Sequence, residues 1–101
     1  MPYKLRFVQK FIPSKREAFL ELEKEFIKLE EETEGFPKGK RYLPYSGRES
    51  TNTLIWESEF ESLEEAQKAL DLISNHPNHE TLYQKQVPFF QDAYTEIYQS
   101  F

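Results

Sequence analysis

The chain has 101 residues, a net charge of −5, 38% apolar and 31% charged side chains, and no cysteine. These figures exclude a disulfide scaffold, a thiolate catalyst and an iron–sulfur centre, and the acidic balance speaks against a nucleic-acid surface. No apolar run approaches the roughly 18 residues that a membrane span needs, and no hydrophobic leader follows Met1. The expectation is a single cytoplasmic domain over residues 1–101, with neither membrane nor nucleic acid as partner. Aliphatic side chains are scarce, but nine Phe, six Tyr and one Trp supply enough large rings for a core.

Residues 3–11 alternate with period two. Tyr3, Leu5, Phe7 and Phe11 share one face, and Lys4, Arg6, Val8 and Lys10 the other, the pattern of a strand buried on one side. Pro13 ends it. Ser14 and Glu17 have the Ser-x-x-Glu spacing of a capping box, which predicts a helix to about Glu34. Ala18, Phe19, Leu22, Phe26 and Leu29 form its apolar stripe, and its many glutamates form a solvated face. Gly35 suits the left-handed stop.

Two strands follow, over residues 40–46 and 53–60, joined by Gly-Arg-Glu-Ser-Thr-Asn turn chemistry. Pro44 lacks a ladder donor and assigns the first of the two to a sheet edge. Ser62 and Glu65 make a second capping box, opening a helix with Leu63, Ala66, Leu70 and Ile73 on its apolar face. Asn75-His76-Pro77-Asn78 interrupts that helix, a short turn resumes from Tyr83 to Gln86, and Pro88 stops it. Residues 92–100 read as the last strand.

The order strand–helix–strand–strand–helix–strand predicts an α+β fold, the ferredoxin-like βαββαβ sandwich. Its four-stranded antiparallel sheet carries both helices on one face. The other face then presents Arg6, Val8 and Lys10 beside Ile55, Glu57, Glu59, Tyr94, Glu96 and Tyr98. Arg–Glu pairs account for part of this set. The exposed apolar members predict a homodimer stacked through this face.

The segment from Trp56, Trp-Glu-Ser-Glu-Phe-Glu-Ser-Leu-Glu-Glu-Ala, resembles the third-strand and second-helix pattern of the dimeric α+β-barrel superfamily. His76-Pro-Asn-His-Glu-Thr-Leu-Tyr83 is similar to the histidine-containing helix break found there. The types it resembles are antibiotic-biosynthesis-monooxygenase-like and NIPSNAP-like domains. The resemblance implies a dimeric α+β barrel that binds a small molecule between sheet and helices. For the monooxygenase-like type it implies oxidation or isomerisation of a small aromatic or quinone-like compound, with no cofactor. Haem degradation, another activity of the superfamily, uses a first-strand Asn with a Trp and a His on the second helix. Here the first-strand position falls nearest Gln9 and the sole Trp lies on the third strand, so that activity is not carried over.

His76 and His79 stand three residues apart beside Glu80, a spacing that suits a shared metal on a helix. Pro77 intervenes and no third ligand is spaced to join them, so no metal is expected. Imidazole remains the side chain whose ordinary pKa suits proton transfer near neutrality. His79 and Tyr83 are the candidate catalytic residues, with Tyr42, His76 and, for an anionic group, Arg6 as candidate substrate contacts. Tyr98 and Trp56 are further candidate cavity walls. No Gly-rich phosphate loop is present, and the acidic third strand departs from an RNA-recognition motif. The competing class is a non-catalytic dimeric interaction or regulatory domain whose rings fill its own interior. A cavity of roughly 300 Å³ or more beside His79 and Tyr83 separates the two.

Overall fold

A computed structural model of the chain describes residues 2–101. Strand β1 (Tyr3–Phe11) is followed by helix α1 (Arg16–Glu32), strands β2 (Lys40–Tyr42) and β3 (Thr53–Phe60), helices α2 (Leu63–Asn75) and α3 (Pro77–Gln86), and strand β4 (Phe90–Gln99). The sheet is antiparallel throughout, in the order β2-β3-β1-β4. This is the ferredoxin-like α+β arrangement, with three helices rather than two. No helix among the described residues is long and apolar enough to cross a membrane.

Register follows the side-chain alternation. Phe7 stands opposite Trp56 and Thr95 on the inner face, and Arg6 stands opposite Glu57 and Glu96 on the outer. The Phe7 and Trp56 rings stack at 4.9 Å. Leu5, Phe36, Trp56 and Ile73 form one buried cluster, and Phe11, Phe19 and Leu54 form another further along β1.

The outer face is built as its sequence phase predicts, with Arg6 bridging Glu57 at 2.7 Å and Glu96 at 2.8 Å. The connection between β2 and β3 does more than turn, however. Glu49 accepts a hydrogen bond from the Tyr94 hydroxyl at 3.2 Å and pairs with Lys10 at 3.4 Å, so this loop reaches over the outer face. Val8 is accordingly only 1% exposed although it points away from the helices.

Several local expectations are corrected. Ser14 does not cap α1, because residues 13–15 form a 3-10 turn and the extended backbone of an N-cap is missing there; Lys15 precedes the helix without a side-chain bond. Ser62 does cap α2, its Oγ accepting the Glu65 N–H at 3.1 Å. The helix break is confined to His76, whose extended backbone separates α2 from a full ten-residue α3. His76 Nδ1 accepts the Asn78 N–H at 3.2 Å, and Pro77 fits the first helical turn, where its missing donor is not needed. Strand β2 stops at Tyr42, just before Leu43-Pro44. Ala18 and Leu63 are exposed, while Glu23 and Glu30 are buried on the apolar side of α1.

Candidate functional site

The interior between α1 and the sheet holds a charged cluster. Phe19, Glu23, Phe26 and Glu30 recur at four- and three-residue steps, so the two glutamates lie on the same stripe as the two buried rings. On β2, Arg41 stands opposite Trp56 and therefore points inward. Its Nε donates to Glu23 Oε2 at 2.6 Å, and its Nη2 donates to Glu30 Oε2. Glu30 Oε1 also accepts the Trp56 indole N–H at 3.2 Å and the Gly39 N–H at 3.1 Å. Gln86, fully buried, donates to Glu23 Oε1 at 3.1 Å and to the Phe19 carbonyl at 3.3 Å. Burial acts to lower the Arg41 pKa, but the bonds to Glu30 and Glu23 hold it above the ordinary value. Gly39 is demanded by close approach, since a Cβ there would sit 2.2 Å from the Trp56 ring.

Beside this cluster lies a cavity in two chambers. The inner one, about 30 Å³, is bordered by Glu23, Glu30, Arg41 and Trp56 and has room only for water-sized guests. The outer one, about 330 Å³, opens between α2, α3 and β4 past Ser74, Glu80 and Ala93. Phe7, Gln9, Ile73, His79 and Tyr83 line both. His79 stands at this junction with ring centroids of Phe26 at 5.0 Å, Phe36 at 6.3 Å and Tyr83 at 6.4 Å. Its Nδ1 is buried and has no hydrogen-bond partner. Burial lowers the His79 pKa, opposed by the charges of Glu80 and Glu30 and reinforced by His76. Burial thus favours the neutral imidazole near pH 7.

The candidates named from sequence separate accordingly. His79 and Tyr83 come together on the cavity wall, and Trp56 borders its inner chamber. Tyr42 does not join them. It stands opposite Ile55, on the outer face, because alternation in β2 turns Arg41 inward instead. Arg6 and Tyr98 are also on the outer face, where Arg6 Nη1 donates to the Tyr98 hydroxyl at 3.0 Å. His76 caps α3 and meets the Phe36 ring edge-on at 5.3 Å, outside both chambers. Among the described residues no group of three His, Cys, Asp or Glu is arranged to hold a metal ion. Arg41, Glu23, Glu30 and Gln86 were not legible as site residues. The signal for the two glutamates is their phase with Phe19 and Phe26.

A four-stranded antiparallel sheet with helices on one face, and a cavity between the layers, defines a ferredoxin-like α+β domain. Its fold is that of solved antibiotic biosynthesis monooxygenase and NIPSNAP proteins. One antibiotic biosynthesis monooxygenase structure matches with a TM-score of 0.77 at 13% identity, over 98% of this chain and 98% of that one. A NIPSNAP family protein from Agrobacterium tumefaciens also gives 0.77, at 11% identity over 99% of this chain and 86% of that one. A NIPSNAP domain protein from Burkholderia xenovorans gives 0.74, at 11% identity over 100% and 95% of the respective chains. No family model matches the sequence, and no curated protein matches it.

Proposed function

We propose that the protein binds a small planar aromatic of the phenol or quinone class in the cavity at His79 and Tyr83. His79 takes the proton from a bound hydroxyl. The observation that carries this reading is the neutral imidazole of His79, beside Tyr83, on the wall of an open groove of about 330 Å³. A space of this size suits a small ligand, whose ring would meet Phe7, Leu70 and Ile73 and whose polar group would meet Gln9, Ser74 or His79. The unprotonated ring is the form that accepts a proton. Loss of the phenolic proton makes the ring electron-rich, which prepares it for oxidation by dioxygen or for isomerisation without a cofactor. The antibiotic biosynthesis monooxygenase of the same fold supports this class of chemistry.

Thermal denaturation with a panel of phenols and quinones tests the reading. A ligand at 100 times its dissociation constant should stabilise the protein by about 2.7 kcal/mol. Ala93→Trp, which fills the chamber mouth from an exposed strand position, should abolish that gain. A flat response across the panel would favour a non-catalytic interaction domain instead.

The outer sheet face supports a homodimer. Tyr42, Tyr94 and Tyr98 are 48%, 37% and 48% exposed there, around the Arg6 ion pairs. Stable interfaces bury about 800 Å² per partner, and a second copy is the partner proposed for this face. A monomeric mass by light scattering at micromolar concentration would refute it.

A further inference from the structure

We infer that the cavity selects uncharged or cationic aromatics and rejects anionic ones, through an acidic lining in which the only cation is already neutralised. This rests on the cavity reading proposed above and specifies its ligand class. Among the described residues that line the two chambers, Arg41 is the sole Lys or Arg. Both Glu23 and Glu30 bond to its guanidinium, so the inner cluster holds one more carboxylate than it holds cations. The outer chamber adds Glu80 and no basic group. Glu80 is itself exposed, with one carboxylate oxygen accepting from Gln84 at 2.7 Å, so its charge faces the entrance.

An anionic ligand entering this space would shed water without gaining a counter-ion. A neutral phenol carries no such penalty. The hydroxyl also meets the neutral His79 ring on the cavity wall. The lining thus favours a ligand that arrives protonated.

The test compares 4-methylphenol, tyramine and 4-hydroxybenzoate at pH 7 and low salt, by calorimetric titration of the full chain. The first two differ from the third in carrying no charge or a positive one away from the shared phenol. 4-Hydroxybenzoate is expected to bind at least about tenfold more weakly than 4-methylphenol, a gap of about 1.4 kcal/mol. Glu80→Lys, at an exposed position in the first turn of α3, should narrow the gap. Equal or tighter binding of 4-hydroxybenzoate would overturn the charge selection and leave the cavity reading standing. A gap unchanged by Glu80→Lys would overturn its electrostatic origin. Absence of binding by all three would overturn the cavity reading and this inference together.

Discussion

Arg41→Met removes the one cation that holds two buried carboxylates. Arg41, Glu23 and Glu30 side chains are only 16%, 9% and 6% exposed, so bulk water does not solvate the carboxylates left behind. Removing one partner of a buried ion cluster strands the others, at a cost of about 3–5 kcal/mol. That is a large share of the roughly 5–15 kcal/mol by which a domain is stable. The unfolding midpoint should fall by about 12 °C or more. Urea titration followed by tryptophan fluorescence measures the loss. Trp56 is the only tryptophan, and its indole donates into this cluster. Adding Glu23→Gln and Glu30→Gln should recover part of the stability, since no buried charge is then left unpaired. A loss below about 1 kcal/mol, the value of an exposed pair, would refute the reasoning.

Gly39→Ala places a Cβ 2.2 Å from the Trp56 ring; displacement of that ring should cost about 1–3 kcal/mol, read as a lower thermal midpoint and altered fluorescence. His79 has a folded pKa below its ordinary 6.5. The unfolded chain therefore binds the extra proton more readily, and the stability this group contributes is complete above 6.5 and lost as pH falls through the folded value. His79→Phe should remove that component of the pH dependence in calorimetry. Ser62→Ala deletes a formed cap and should cost about 1 kcal/mol, whereas Ser14→Ala, with no capping bond to lose, should stay within about 0.5 kcal/mol.

Much of the fold was legible because period-two and helical patterns are local. The phase of β1, β3 and β4 placed Arg6 opposite Glu57 and Glu96, and both ion pairs form. The capping box at Ser62 was readable for the same reason. At Ser14 the same motif failed, since Pro13 opens a 3-10 turn ahead of the helix. The site was harder to read because it depends on pairing between distant segments. Tyr42 and Arg41 exchange faces with a shift of one residue, and only the register with Trp56 decides which points inward. Glu23 and Glu30 were masked by the surrounding glutamates of α1, most of which are solvated. Their burial is stable only because Arg41, 18 residues beyond Glu23 and 11 beyond Glu30, meets them in space.

The most direct measurement is an imidazole-nitrogen NMR titration of His79, with and without 4-methylphenol. His79 should titrate below 6.5 in the free protein. Its midpoint should fall further with ligand bound, because a phenol hydroxyl donating to the neutral ring stabilises that form. An ordinary midpoint, unmoved while 4-methylphenol perturbs residues elsewhere, would contradict a ligand-binding base at this cavity.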